Sequence, residues 1–284
     1  MPKTLRHAAL TLLLLLSALP LRAQDADTII VTPRSNRLIH NSMVVGIGAS
    51  NVLDTYLSPY SYTGEQLRLL GETDRWIRPL SRQDGTPRVQ TAFLLDADVA
   101  KLQSPAKNVD AWAGGIRASF AWKFDLFLRH PRWQLLVGPM LSGYVGAVYN
   151  ERNGNNPAQA KADLTLDLAA SIAYQFPLLK RQMRVRYQLA APLIGLAFSP
   201  NYGQSYYEMF GLGNYDKNVV FAHVGNMPSW RHLLTLDVPL RPHSRTAIRV
   251  GYAGNFMQST FRNLRYHSYS HSFLIGFTKT FYAL

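Results

Sequence analysis

Residues 162–176 alternate between apolar and polar side chains without interruption. One face carries Leu164, Leu166, Leu168, Ala170, Ile172, Tyr174 and Phe176, and the other carries Asp163, Thr165, Asp167, Ala169, Ser171, Ala173 and Gln175. Strict alternation predicts a strand with one apolar and one polar face. Strands of soluble proteins usually have about 5–6 residues, whereas a tilted strand that crosses a bilayer needs about 9–11. The length of this segment therefore predicts a membrane-spanning strand.

Similar segments recur to the end of the chain and predict ten long strands. They lie near 41–53, 64–77, 87–101, 110–126, 132–149, 162–176, 183–198, 229–240, 245–258 and 266–282. An apolar hairpin inside 203–226, made of 206–210 and 219–224, adds two strands if it crosses the membrane. Because the hairpin is apolar enough to cross, we predict an all-β fold, an antiparallel transmembrane β-barrel, with twelve strands favoured over ten. Both numbers are even, as expected of single-chain bacterial barrels. A hairpin that stands above the membrane or folds into the lumen is the alternative.

The connections between the predicted strands are of two kinds. One set is short and basic, as in 129–132, 180–181 and 241–245. The other set is generally longer and rich in Tyr, Asn, Gly and Ser; it comprises 56–64, 150–161, 201–226 and 258–266. Outer-membrane barrels have short periplasmic turns and longer outer loops. We therefore expect the Tyr-rich connections to face the outside of the cell.

The N-terminal residues 1–23 predict a secretory signal peptide. Lys3, Arg6 and His7 form a basic start, and residues 8–19 form an apolar stretch that is too short to span a membrane. Cleavage is expected near Ala23, and an uncleaved helical anchor is the alternative. Residues 24–40 predict a periplasmic segment and residues 41–284 the barrel. The expected location is the outer membrane of a diderm bacterium, reached through the secretion and barrel-assembly machinery.

The amino-acid composition restricts the modifications and binding partners that are expected for this chain. It contains no cysteine, which excludes disulfides, thiolate metal sites and lipid attachment at an N-terminal cysteine. The formal net charge is +13, and removal of the signal peptide with its three basic residues leaves +10. A soluble protein this basic would suggest nucleic acid, whereas for an envelope barrel anionic lipid head groups are the expected partner. A soluble lipocalin-like barrel stays open as an alternative, but its outward face should be polar.

Alternation assigns charged residues of both signs to the lumen. They are Arg68, Glu72, Asp96, Asp98, Arg117, Lys123, Asp163, Asp167, Arg184, Arg186, Arg231, Asp237 and Arg249. A barrel of this size is barely wide enough to hold more than its own side chains, and an unpaired buried charge is costly. We expect an ion-pair network that fills the lumen. A selective pore or ligand site lined by the same groups is the alternative.

Catalytic signals are weak in this sequence. No phosphate-binding Gly loop and no metal-ligand spacing occurs, and no cofactor is predicted. Barrel-embedded lipid hydrolases resemble one another in placing a His and a Ser two residues apart on one outward face. In 267–272 the His residues face outward and the Ser residues face the lumen, so that pattern fails. Ser205 and His223 remain as a candidate pair.

A candidate binding site lies in the predicted outer loops. It comprises Asp54, Tyr56, Tyr202, Gln204, Ser205, Tyr206, Tyr207 and Glu208. Aromatic and polar loops of this kind bind glycans, peptides or small solutes, or they pack on each other as a lid, which we favour. A binding or structural role in the envelope is thus the first hypothesis. A narrow channel for small solutes and a lipid-modifying enzyme are the second and third, and the sequence leaves the oligomeric state open.

Four segments together resemble an uncharacterised outer-membrane family of Bacteroidota, domain of unknown function 3316. They are 51–64, 150–160, 199–210 and the strand around Ser270 and His271. The resemblance covers nearly the whole mature chain and implies a barrel in a diderm envelope. The family carries no established activity, so the resemblance transfers no functional residue.

Overall fold

Ten long antiparallel strands close into a barrel. The computed structural model describes residues 38–77, 88–126, 130, 132–154, 156–215, 217–242 and 244–282, so the predicted signal peptide and most of 24–40 lie outside the described residues. The elements are β1 (Leu38–Asp54), β2 (Ser61–Ile77), β3 (Val89–Gln103), β4 (Asp110–Asp125), β5 (Trp133–Asn150), β6 (Ala158–Leu178), β7 (Arg181–Phe198), a helical turn (Tyr207–Gly211), β8 (Val219–His223), β9 (Ser229–Pro239), β10 (Thr246–Phe261) and β11 (Leu264–Tyr282). Among the described residues, no helix is long and apolar enough to cross a membrane.

The pairing of the strands shows how the barrel closes. β1 pairs with both β2 and β11, and β6 pairs with both β5 and β7. β9 pairs with β7 only along 184–190, and β8 pairs with the far end of β7, along 194–198. β8 therefore lies outside the ten-strand closure. The prediction of an antiparallel barrel is confirmed, and the preference for twelve strands is wrong.

The apolar segment inside 203–226 fails to form a spanning hairpin because its first half is helical. The backbone N–H of Ser205 donates to Glu208 Oε2 at 2.7 Å, and the N–H of Glu208 donates to Ser205 Oγ at 3.2 Å. This reciprocal pair resembles the capping box that starts a helical turn. The second half of the segment supplies the short strand β8.

The two ends of the barrel differ in their connections. The terminal end holds Leu38 and Tyr282, the two outermost residues of the paired first and last strands. The opposite end, here the loop end, carries the connections 55–60, 104–109, 151–157 and 199–228. The predicted outer loop 258–266 is instead a tight hairpin in which only Arg262 and Asn263, both with positive φ, lie between β10 and β11.

The barrel has an apolar outer surface and a polar interior. On β6, Leu164, Leu166 and Leu168 point outward and are 43–52% exposed, whereas Asp163 and Asp167 point inward and are buried. The same holds around the barrel, and the outward face of β1 and β11 is apolar throughout its middle part. This distribution is the reverse of the one that the soluble lipocalin-like alternative requires.

Polar and apolar layers alternate along the lumen. On β2 the inward side chains Arg68, Leu70 and Glu72 follow each other from the loop end to the terminal end. Leu70 belongs to a middle apolar layer formed by two clusters, with Val44, Leu233, Ala253 and Leu274 in one and Ala92, Leu94, Ala121, Met140, Ala169 and Ala190 in the other. Two further apolar clusters, around Leu102 and around Phe261, close the loop end. The charges thus form two separate layers rather than one network that fills the lumen.

Candidate functional site

The terminal charge layer lies between the middle apolar layer and the terminal end. It comprises Glu72, Asp74, Lys123, Asp125, Arg184, Arg186, Asp237 and Arg249. Arg186 on β7 donates to Asp74 Oδ2 at 2.7 Å and also bonds Glu72, both on β2. β7 and β2 are five strands apart in either direction around the barrel. These bonds therefore span the full width of the lumen.

Glu72 is the centre of the terminal charge layer. Its Oε2 also accepts a hydrogen bond of 3.0 Å from Arg249, and its Oε1 accepts one of 3.0 Å from Gln188. Arg249 in turn holds Asp237 through two bonds of 2.6 and 2.9 Å. Glu72 is 3% exposed. Side chains from two other strands, β7 and β10, thus meet at one carboxylate and obstruct this level of the lumen.

The outer charge layer lies between the middle apolar layer and the loop end. Its ion pairs are Arg68–Asp96, Arg117–Asp163 and Arg231–Asp167. Arg68 holds both oxygens of Asp96, at 2.8 and 2.6 Å. The neighbouring carboxylate of Asp98 accepts a hydrogen bond of 2.8 Å from Gln66 instead of a cation. Two carboxylates on one strand are therefore satisfied by different groups of β2.

Asp74, Asp125 and Lys161 are charged residues that the sequence analysis did not assign to the lumen, although the structure places them there. Asp74 shares the inward face of β2 with Glu72, a position that strict alternation could have indicated. Lys161 lies on β6, which begins at Ala158 and thus earlier than predicted. Its Nζ lies 2.8 Å from Asp54 Oδ2 and 4.1 Å from the ring centroid of Tyr266. Asp54, predicted for the outer-loop site, is thus buried in the mouth of the barrel.

The loop segment 199–215 is fixed to the barrel and to itself. The Tyr56 hydroxyl donates to the carbonyl of Gln204 at 2.8 Å, and the Ala160 N–H donates to the Tyr206 hydroxyl at 2.6 Å. The buried amide of Gln204 accepts bonds from Asn201 N and Asn218 Nδ2 and donates to the carbonyl of Asn214, all within 3.0 Å. The segment therefore has a defined conformation. We call it the loop platform.

The aromatic residues of the loop platform divide into packed and exposed ones. Tyr206 makes an edge contact with Tyr56 at 6.2 Å between centroids and stacks on Phe210 at 6.0 Å. Tyr202 and Tyr207 are 76% and 71% exposed. Part of the predicted outer-loop site is therefore packed as a lid, and part of it is exposed to solvent. Ser205 and Glu208 cap the helical turn.

The pKa values of two packed phenols are raised, that of Tyr206 in the loop platform and that of Tyr56, which contacts it. Burial raises the pKa of Tyr206 to about 12, although the hydrogen bond from the Ala160 amide opposes this. Burial, followed by the nearby carboxylates of Asp54 and Glu208, raises the pKa of Tyr56. Both hydroxyl groups are therefore neutral at physiological pH and keep the hydrogen bonds that fix the loop platform.

The predicted pair of Ser205 and His223 is used structurally. Ser205 Oγ accepts the Glu208 N–H, and His223 Nδ1 accepts the N–H of Gly225 at 3.0 Å. No hydrogen bond joins Ser205 and His223 in the described part of the chain.

A different serine and histidine meet on the outward wall at the loop end. Ser61 Oγ on β2 lies 3.4 Å from His267 Nε2 on β11, and Asn51 Oδ1 on β1 lies 2.8 Å from the same nitrogen. Sequence reasoning missed this group because its residues come from three strands and only register brings them together. A catalytic histidine uses its two nitrogens for two different partners, an arrangement that these three residues do not have.

Comparisons with known proteins give a family and distant structures. A family described as protein of unknown function (DUF3316) matches residues 8–284. No curated protein matches the chain. The chain is similar to the outer membrane protease OmpT of Escherichia coli, with 10% identity, 90% of this chain and 100% of that chain covered, and a TM-score of 0.48. It is also similar to the translocator domain of the autotransporter NalP of Neisseria meningitidis, with 11% identity, 88% of this chain and 90% of that chain covered, and a TM-score of 0.40.

Within the described residues no group of three or more potential His or carboxylate ligands could hold a metal ion.

Proposed function

Because the chain belongs to the DUF3316 family, which brings no activity with it, we propose a function from the geometry: a closed outer-membrane barrel whose loop platform binds a ligand at the cell surface. One observation carries the proposal. The loop platform is held in place by Gln204 and Tyr206, yet Tyr202, Tyr207 and Tyr215 stay more than 60% exposed. A fixed loop with exposed rings binds at a low entropic cost.

The apolar outward surface supports the membrane location. Exposed Trp122 and Trp133 lie near the terminal end, and exposed Trp112 and Trp230 lie in the half nearer the loop end, as in the aromatic girdles of outer-membrane barrels. Outer-membrane lipids are the partners of this surface. With the termini on the periplasmic side, the loop platform faces the medium.

The two charge layers and the middle apolar layer argue against a channel. Ions need a continuous polar path, and an apolar constriction excludes water from a narrow pore. In this lumen, the bonds of Arg186 to Glu72 and Asp74 cross one level, and Leu70, Met140 and Leu233 occupy the next. The barrel serves as an anchor that carries the loop platform.

A neutral glycan is the ligand class that the loop platform fits best. Its exposed rings offer flat apolar faces with polar edges, and exposed Asn214 adds an amide among them. A cluster of cations, which an anionic ligand would need, is absent from residues 199–215. Peptides are the rival class, since tyrosine-rich loops also bind proteins.

Binding to arrayed neutral polysaccharides, acidic polysaccharides and peptides tests this proposal. The protein is refolded in detergent, and a faster-migrating unboiled band on a gel establishes the closed barrel. We expect binding to neutral polysaccharides that falls at least tenfold in Tyr207→Ala and Tyr202→Ala. Tyr60→Ala, which removes a similarly exposed tyrosine outside the loop platform, is the matched control and should bind normally.

Other outcomes would overturn parts of the proposal. Binding to peptides alone would refute the glycan class, and equal loss in Tyr60→Ala would refute the location. Binding unchanged in all three variants would refute the loop platform as a site. A stable conductance of the wild-type protein in planar bilayers would favour the channel instead.

Lipid acyl hydrolysis is a second candidate function, favoured only by the contact of Ser61 with His267. Both residues are half-buried on the outward wall at the loop end, where a membrane lipid would lie. His267 could accept the Ser61 proton only after Asn51 leaves Nε2. Labelling of the wild type, but not of Ser61→Ala, by a fluorophosphonate would support this function. Absence of labelling, together with unchanged phospholipids after incubation, would refute it.

A further inference from the structure

A small cavity occupies the middle of the lumen. It has a volume of about 70 Å³ and is lined mainly by apolar side chains of the middle apolar layer, among them Leu70, Leu94, Met140, Ala169 and Leu233. About 10–15 Å³ of such space holds one water molecule, so the cavity has room for a molecule of several heavy atoms. It lies between the two charge layers. Its apolar walls offer water few hydrogen bonds.

One buried cation faces this cavity without an anionic partner. Lys123 on β4 is 3% exposed and lines the cavity. Its ammonium makes no hydrogen bond or ion pair with any residue that the structure describes. Glu72 and Asp74 attract it from a distance, but Arg186 already holds both carboxylates. The other cations at the cavity, Arg68, Arg117 and Arg231, are each paired with an aspartate.

The cations of the terminal charge layer are unevenly paired with its carboxylates. Its eight side chains are four cations and four carboxylates. Arg186 and Arg249 hold Glu72, Asp74 and Asp237, whereas Arg184 donates to the neutral Gln134 at 2.8 Å. A buried ammonium without a counter-ion is costly. A monovalent anion in the cavity would reduce this cost.

We propose that the cavity binds short-chain monocarboxylates, with the carboxylate on the Lys123 ammonium and the hydrocarbon chain in the middle apolar layer. The volume limits the ligand to a few carbon atoms. The Lys123 ammonium at the cavity selects an anion. The apolar walls select a hydrocarbon chain over a hydroxylated one. This site is independent of the loop platform, which lies at the loop end of the barrel.

Calorimetric titration of the refolded barrel with propionate and butyrate tests the proposal. The comparison ligands are butanol, which lacks the charge, butylammonium, which reverses it, and chloride, which lacks the chain. We expect saturable binding of the carboxylates and at least tenfold weaker binding of the others. Bound butyrate should also raise the temperature at which the unboiled gel band is lost, because a ligand of the folded state stabilises it.

Two variants test whether butyrate binds in this cavity. Lys123→Met keeps the length of the side chain and removes the charge, and it should weaken butyrate binding at least tenfold. Ala169→Leu fills the cavity from β6, two strands away from Lys123, and should abolish binding while the gel shift shows a folded barrel. Lys101→Met, which changes an exposed lysine, is the control and should bind butyrate as the wild type does.

The remaining outcomes would refute the site. Equal binding of butanol and butyrate would show that Lys123 plays no part. Chloride binding that excludes butyrate would show a simple ion site. Absence of any saturable butyrate binding, or binding unchanged in both Lys123→Met and Ala169→Leu, would remove the cavity from consideration. None of these results depends on ligand binding at the loop platform.

Discussion

Arg186 on β7 donates a 2.7 Å hydrogen bond to Asp74 on β2, and this bond crosses the barrel from one wall to the opposite one. Arg186 and Asp74 are 1% and 3% exposed. The same guanidinium bonds Glu72. Opposite walls of a ten-strand barrel are thus joined directly through side chains, in addition to the backbone ladders that join neighbours.

Loss of this cross-lumen bond should destabilise the barrel strongly. Arg186→Met leaves two buried carboxylates without their main cation, and we expect it to lower the free energy of unfolding by about 3–5 kcal/mol. Urea unfolding followed by the gel shift measures the change. The exposed pair of Lys101 and Asp110 gives the reference, since Lys101→Met should cost less than about 1 kcal/mol. Equal effects of the two variants would contradict a structural role for Arg186.

A charge on the outward face distinguishes a membrane protein from a soluble one. Leu166 points outward from the middle of β6 and is 43% exposed. In a bilayer, Leu166→Arg should lower the stability by about 2–4 kcal/mol, because a cation near the midplane is poorly solvated. In a soluble barrel the same change should alter stability by less than about 0.5 kcal/mol. Comparing the unfolding of the wild type and of Leu166→Arg in lipid vesicles distinguishes a membrane protein from a soluble one.

Alternation along single strands was enough to predict the faces of the barrel. Leu166 and Asp167 are neighbours in sequence, and the structure places them on the outward and inward faces as the period of two requires. The closed antiparallel architecture follows from the same pattern repeated ten times. These features need no knowledge of how the strands are aligned.

Register between strands is what the sequence could not supply. Leu70, Met140 and Leu233 each look like single apolar residues on a polar face, and only the alignment of β2, β5 and β9 brings them to one level. The same holds for Ser61 and His267, which are 206 residues apart. The twelve-strand preference failed for another reason, since local helix capping by Ser205 and Glu208 overrode the apolar composition.

Substitutions in the turn between β6 and β7 should stabilise the protein. Leu179 and Lys180 both have positive φ, at 52° and 58°, which costs ordinary residues energy. Asn-Gly is the preferred pair for such two-residue turns. Leu179→Asn combined with Lys180→Gly should therefore raise the free energy of unfolding by about 1–2 kcal/mol. An unchanged urea midpoint would show that these backbone angles carry no strain.

The pKa of Tyr206 predicts how the loop platform responds to alkali. The ordinary pKa of the phenol is 10.0, and in the folded loop it is raised to about 12. The folded state therefore holds this proton more tightly than the unfolded state. Its contribution to stability is complete below pH 10 and is lost as the pH rises towards 12. Ultraviolet titration of the wild type minus that of Tyr206→Phe should show one phenol ionising near pH 12. A difference centred near pH 10 would contradict the burial.

Gln204 should control the order of the loop platform without touching the ligand. Gln204→Leu removes the three amide bonds to Asn201, Asn214 and Asn218. We expect cleavage within 199–215 by a soluble protease to become at least tenfold faster, because the backbone loses its fixed conformation. Tyr207→Ala should leave the cleavage rate unchanged, since this side chain is exposed. Equal rates for Gln204→Leu and the wild type would contradict the assigned role.

β7 pairs with its neighbour β9 over only part of its length, and this determines where the chain could be cut into two fragments. β1 and β11 are paired continuously from Leu38 with Tyr282 to Asp54 with Tyr266, so the first and last strands form a complete seam. β7 and β9 are paired only from Arg184 to Ala190, and residues 224–228 separate β8 from β9. The weakest junction of the wall therefore lies inside the sequence, where two fragments cut at this break could reassemble into one barrel and where a circular permutant could begin.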